Sequence, residues 1–328
     1  HSASTTTDSR APAPLMTIYL VGGALLRAFG GVISALLPER IVRDGLLLAF
    51  VALTALTTTW TINATLVTAF LLLSSALTVG LVVWTAIKLC PPKVWNAQPC
   101  YAPADWWPPV LPIMVTVALD TFVSRTGVML LGWSGRLAEA GIFALAFNIA
   151  MLLALPRVAV STIFAPMVAG LHARGDKAGL QKSFADASLI SFLGSAVLAI
   201  PLIVHIEPLL RWYDSHFVAA APVVQILALG HLFAAATGPQ QNILTMTGHE
   251  RAAAALMIGN AILNLVGCVV GIAFAGAIGA AIAVSIALVL WNAAMAYYLW
   301  KTLGLAPGLA AAVKSWIIGR QSSSSGAA

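Results

Sequence analysis

Three arginines fall inside apolar stretches of this chain: Arg27, Arg125 and Arg157. A guanidinium at the centre of a bilayer costs about 2.5 to 3.5 kcal/mol on insertion scales, so none of the three is expected to face lipid. Its planar fork can grip two phosphate oxygens at once, and a cavity lined by such groups would receive an anionic head group. Structural pairing, or snorkelling toward the interface, is the competing role for each. Asp120 is the acid that lies well inside a span. Five positions separate it from Arg125, about 140° around a helix, so the two occupy different faces. Asp120 shares its face with Ser124 and Gly127. That stripe suits a coupling cation or proton, or an interhelical salt bridge to Arg27 or another helix.

A second polar group sits in the apolar run from Val218 to Met246, which carries His231 and then Thr237-Gly-Pro-Gln-Gln-Asn242. Hydrocarbon penalises these groups unless they face protein or a watery cavity, and Gly-Pro breaks a helix. Gln240, Gln241 and Asn242 are candidates for binding hydroxyl groups. His231, Gly238 and Asn242 step by seven and four and so share a face. His231 could switch protonation or simply pack through hydrogen bonds. Further on, Asn260, Asn264, Gly267 and Gly271 step by four, three and four. This narrow seam of small and polar residues reads as a helix-packing face, with Gly276, Gly279 and the alanines after them as the opposing surface.

Helices that cross a membrane must position these residues. Charged residues make up 9% of the chain and hydrophobic residues 60%, far from a soluble domain, in which charge alone approaches roughly a quarter. Apolar stretches long enough to span hydrocarbon fall at 15–37, 45–62, 64–88, 109–133, 138–171, 186–210, 218–246, 252–274 and 277–301. The expectation is an all-α polytopic membrane protein with nine transmembrane helices in two bundles. The stretch 138–171 exceeds one crossing and is expected to kink at Pro156 or Pro166.

Loop charges supply an independent check. If the first loop is cytoplasmic, that side receives Arg40, Arg43, Lys88, Lys93, Arg174, Lys177, Lys182, Arg251, Lys301, Lys314 and Arg320, and the other only Arg10, Arg136 and Arg211. This is the positive-inside bias, with the N-terminus outside and the C-terminus in the cytoplasm. The net charge of +6 is therefore topological, and nucleic acid is excluded as a partner. The expected organisation is an exposed segment 1–13, three helices of an N-terminal lobe over 14–89, and a cytoplasmic linker rich in Pro and Trp over 90–108. A six-helix lobe over 109–301 and a cytoplasmic tail over 302–328 complete it.

No Cys/His spacing suggests a metal, no Gly-x-x-x-x-Gly-Lys-Ser/Thr loop suggests ATP hydrolysis, and neither a catalytic residue nor a cofactor is expected. Asp120, His231 and the loop pair His249 and Glu250 are the groups an embedded enzyme could use.

The order of motifs from Leu227 through Thr237-Gly-Pro-Gln-Gln-Asn242, Met246-Thr-Gly-His-Glu250, Asn260, Asn264 and Gly276-Ala-Ile-Gly279 to Trp291-Asn292 resembles bacterial polysaccharide and O-antigen flippases. These lipid-linked oligosaccharide carriers belong to the multidrug/oligosaccharidyl-lipid/polysaccharide exporter superfamily. Leu26-Arg-Ala-Phe-Gly-Gly31, Leu130-Leu-Gly132 and Ala165-Pro166 add to the likeness. Gly127 and Met167 depart from it, standing where the family pattern has Asp and Arg. The resemblance implies twelve helices in two six-helix lobes, of which this chain would hold helices four to twelve.

It also implies transport of a polyprenyl-diphosphate-linked oligosaccharide across the bacterial inner membrane by alternating access, amid membrane lipids and alongside a polysaccharide polymerase and glycosyltransferases. Arg27, Arg125, Arg157, Gln240, Gln241 and Asn242 would line the head-group cavity, and Asp120 and His231 would couple an ion or proton. The rival readings are a multidrug/cation antiporter or lipid II flippase of the same superfamily, a membrane-embedded glycosyl- or acyltransferase, and an inactive scaffold.

Overall fold

Many large apolar side chains of this protein point outward and several small polar ones inward, the reverse of the pattern in a soluble fold. Along one helix Ile190, Leu193, Val197, Ile200 and Val204 form an exposed stripe, while Ser188, Ser191 and Ser195 on the other side are fully buried. Hydrocarbon solvates the first set, and the second lets helices approach closely. The computed structural model describes residues 21–23, 26, 42–57, 64–89, 103–213, 215–306 and 308–310. All regular structure among them is helical. Among the described residues six helices are long and apolar enough to cross a membrane, which makes this an all-α polytopic membrane protein.

The chain forms two compact units, 1–101 and 102–328. In the first, α1 (Arg43–Thr57) packs on α2 (Ala64–Leu89), with the rings of Phe50 and Phe70 5.7 Å apart. The span expected at 15–37, with Arg27, lies outside the described residues apart from 21–23 and 26. That expected at 45–62 appears as the 15 residues of α1, and 58–63 are outside them.

The second unit contains α3 (Pro103–Trp133), α4 (Leu137–Met151), α5 (Leu155–Ala173), α6 (Lys177–Tyr213), α7 (Ala221–Thr237), α8 (Gln240–Met246) and α9 (Glu250–Leu303). α3 starts at Pro103, so the last residues of the linker expected at 90–108 are already helical. α6 likewise continues unbroken from the charged segment after Asp176, and it bends at His205, three residues before Pro208.

Breaks in the helices make the site possible. Between α4 and α5 the backbone tightens into a 3-10 turn, Leu152–Ala154, and Pro156 lies in the first turn of α5. Proline lacks the N–H that would continue the ladder to the turn before it, so the break precedes Pro156, whereas Pro166 is accommodated within α5. Ser195 Oγ donates to the Leu153 carbonyl at 2.7 Å, and Gly194 leaves the room that Pro156 occupies. α7 ends at Gly238, whose φ of 80° favours glycine, and Pro239 caps α8. The 54-residue α9 turns at Ala275 and Gly276, giving two arms where the sequence predicted two spans.

Two large apolar clusters pack the lobe. Leu131, Phe143, Ile206, Leu210, Val224 and Ile272 belong to one, and Phe164, Phe184, Leu244, Met257, Met295 and Leu299 to the other. On the first arm of α9, Asn260 and Asn264 of the cavity described below fall between Met257 of the second set and Cys268 of the first.

Candidate functional site

A cavity of about 540 Å³ opens within the second unit, in the size range of small-molecule sites. The face of α3 that repeats every turn, Thr116, Asp120 and Ser124, forms one wall. The α4–α5 break supplies Met151, Ala154 and Arg157, and Ser161 follows one turn later. The α7–α8 break supplies Gly238, Pro239, Gln240, Gln241 and Asn242, with His231 two turns earlier on α7. α9 contributes Asn260 and Asn264 from its first arm and Val284, Leu288, Trp291 and Met295 from its second.

Breaking two helices at the same cavity has a physical consequence. An unbroken helix presents only side chains, whereas a broken one brings backbone and polar groups to the middle of the lobe, where they are tolerated because they line a cavity. Arg157 enters in the first turn of α5, so the positive end of that helix and the guanidinium reinforce one another. Asp120 lies close enough for the two charges to interact, without direct ion-pair contact. His231, 8% exposed, also lies within electrostatic reach of Arg157.

Polar side chains also tie the site together. Asn242 Nδ2 donates to the Ser161 carbonyl at 3.2 Å, joining α8 to α5. Thr237 Oγ1 donates to Asn292 Oδ1 at 3.1 Å, and Asn292 Nδ2 in turn donates to the Leu288 carbonyl at 2.8 Å. These bonds hold both ends of the α7–α8 break.

The sequence-predicted residues divide. Asp120, Arg157, His231, Gln240, Gln241 and Asn242 all line the cavity. Arg125 does not: it is exposed on another face of α3, as its offset from Asp120 requires. Arg27 lies outside the described residues. Gly127, expected beside Asp120, is buried under the Phe143 ring of α4. The seam on α9 also splits. Gly271 meets the backbone of Gly279, and Gly267 meets Ala283, as a packing face would, but Asn260 and Asn264 border the cavity.

Trp291, Ser161 and Thr116 were not anticipated as site residues. The neighbouring Trp291-Asn292 pair was legible only as a motif, and nothing in the local pattern marks Ser161. Among the described residues no group of three His, Cys, Asp or Glu side chains could hold a metal ion.

No protein-family model matches the chain, and no curated protein matches it in sequence. Among solved structures it is similar to the lipid II flippase MurJ in its inward closed conformation, with a TM-score of 0.56 and 13% sequence identity. The likeness covers 92% of this chain and 64% of that one. At this identity it bears on the fold: the helical architecture is one that a flippase also adopts.

Proposed function

We infer that this chain acts in transport, moving a lipid-linked anionic head group across a bacterial cytoplasmic membrane without changing it chemically. The observation that carries this reading is a cavity inside a membrane lobe where polar groups converge among apolar ones, walled by two broken helices and holding Arg157 at the start of one of them. Membrane transporters build substrate sites this way, with helix ends near the midplane. The fold likeness to a flippase points in the same direction.

The substrate class that fits both the cavity and the motif order of the sequence is a polyprenyl-diphosphate-linked oligosaccharide, such as an O-antigen or exopolysaccharide repeat unit. Arg157 would meet the diphosphate, the amides of α8 and α9 the sugars, and the lipid tail would stay in the bilayer. Asp120 and His231 would couple an ion or proton to the movement. The positive-inside pattern orients the chain so that Arg174, Lys177, Lys182, Arg251 and Lys301 lie in the cytoplasm. Lipid II is the second substrate reading, favoured by the named function of the similar structure.

The test is reconstitution of the purified chain into vesicles loaded with a fluorescent polyprenyl-diphosphate oligosaccharide, scoring its arrival in the opposite leaflet. Movement of intact substrate supports the transporter. Formation of a new glycosyl or acyl product would identify an enzyme instead, and no movement of either this lipid or lipid II overturns the reading.

A further inference from the structure

Among the described residues seven side-chain nitrogen or oxygen atoms are shut off from solvent without a hydrogen-bond partner, and six of them belong to residues of the cavity wall. They are His231 Nδ1, both Nε2 and Oε1 of Gln240, Asn260 Oδ1, Asn264 Nδ2 and Trp291 Nε1. Each of these residues is more than nine-tenths buried, and Gln240 and Asn264 are entirely so. Elsewhere in the lobe other buried or half-buried polar groups are bonded, Ser191 Oγ being the exception among the described residues. Ser195 bonds to Leu153, Ser285 to Ile226, Gln225 to Ile203, and Gln181 holds both backbone groups of Ala306. Unpartnered groups in an apolar interior are destabilising, so their concentration on one wall calls for a ligand that completes them.

The mixture of groups selects the ligand. Trp291 Nε1 can only donate, and each primary amide carries donors at one atom and an acceptor at the other. Turning an amide over exchanges the two but removes neither. A bare cation would satisfy the acceptors and leave the donors stranded, and an anion would do the opposite. A neutral hydroxyl both donates and accepts, so a hydroxyl-rich ring suits both kinds of group once the side chains turn these atoms into the cavity. Val284, Leu288 and Met295 beside them offer apolar contact for the C–H face of such a ring.

We propose that Gln240, Asn260, Asn264, Trp291 and His231 form a subsite for a neutral sugar, and that this wall selects uncharged sugars over acidic or amino sugars at the position it holds. This rests on reading the cavity as a head-group site. It separates two tasks within one cavity, with Arg157 serving the phosphate and the amide wall the sugar. It also gives Asn260 and Asn264 a role beyond helix packing.

The full chain in phosphatidylcholine nanodiscs would be titrated calorimetrically with N,N′-diacetylchitobiose, which is neutral and free of phosphate and lipid. Chitobiose, its cationic deacetylated form, and inorganic pyrophosphate would be titrated separately. Diacetylchitobiose is expected to bind, with chitobiose at least tenfold weaker. Gln240→Met and Asn264→Leu should each weaken the neutral sugar at least tenfold, leave pyrophosphate affinity unchanged, and keep or raise the unfolding temperature because an unpartnered group has gone.

The subsite is overturned if the neutral sugar fails to bind, if chitobiose binds as tightly, if the variants match the wild type, or if they unfold earlier, which would make the amides structural. Absence of pyrophosphate binding in the wild type would count against the head-group reading alone, so the two failures are distinguishable.

Discussion

The carboxylate of Glu139, in the first turn of α4, accepts the backbone N–H of Ala277 at 2.8 Å. Ala277 follows the Ala275-Gly276 bend of α9, so Glu139 caps the second arm of that helix from a different element. Arg136 steadies the same carboxylate at 3.4 Å. An acid at a helix N-terminus satisfies an orphan donor and opposes the helix dipole. The bend is thus set by a long-range contact as well as by glycine.

Replacing Glu139 by Ala should therefore lower stability by about 1 to 2 kcal/mol, the usual loss on removing a cap. Gln can still accept from the N–H but carries no charge, so Glu139→Gln should lose less. Thermal unfolding in detergent would check the order wild type, Gln, Ala. Equal unfolding temperatures for wild type and Ala would show that the bend does not depend on the cap.

Gly271 and Gly279 bring the two arms of α9 together backbone to backbone. A Cβ at Gly271 would lie 2.7 Å from the Gly279 carbonyl carbon, whereas a Cβ at exposed Gly259 on the same helix meets nothing within 4 Å. Gly271→Ala should cost about 1 to 3 kcal/mol by overpacking against a backbone that has no rotamer to yield. Gly259→Ala should be neutral or stabilising by up to about 1 kcal/mol through helix propensity alone. Comparing the unfolding temperatures of the two variants tests the close approach, and similar values would contradict it.

These glycines show how far the sequence could be read. Their spacing identified the packing face and its partner surface, because close approach in lipid leaves a regular record of small residues. The same spacing extended the seam to Asn260 and Asn264, which are buried and also border the cavity: one helical face can pack at one level and line a cavity at another. The kink expected at Pro156 or Pro166 is a break one turn before Pro156, and Pro166 stays within α5. The pairing of the α4–α5 break with Gly194 and Ser195 was not legible, since it joins residues some forty positions apart. Arg125 was misleading because a charge within an apolar span reveals its cost but not its facing direction. The offset from Asp120 was the available clue.

Gly238 is held at a φ of 80° where α7 meets α8, and a Cβ there would collide with Ser188 on α6. Gly238→Ala should cost about 1 to 3 kcal/mol in backbone strain, with the steric contact added. Ser188→Gly in the same chain removes the collision but not the strain, and should recover part of the lost stability. Folded yield and unfolding temperature would measure both variants. Full recovery in the double variant would mean that the conformation at Gly238 is unstrained for alanine, and no recovery that Ser188 is not the obstacle.

Arg157 enters the cavity from the first turn of α5, and Asp120 is the acidic residue whose charge it feels. An anionic head group would compete with that carboxylate for the guanidinium, so the two residues should act in opposite directions. Arg157→Gln should reduce pyrophosphate binding and transbilayer movement of the lipid-linked substrate at least tenfold. Arg157→Lys should recover only part, because an ammonium is a point charge without the two-pronged fork. Asp120→Asn should tighten pyrophosphate binding by removing a rival for Arg157, while slowing transport if Asp120 couples an ion or proton. Titration of each variant in nanodiscs, paired with the vesicle assay, separates binding from movement. Weaker pyrophosphate binding in Asp120→Asn, or full transport in Arg157→Gln, would contradict this assignment.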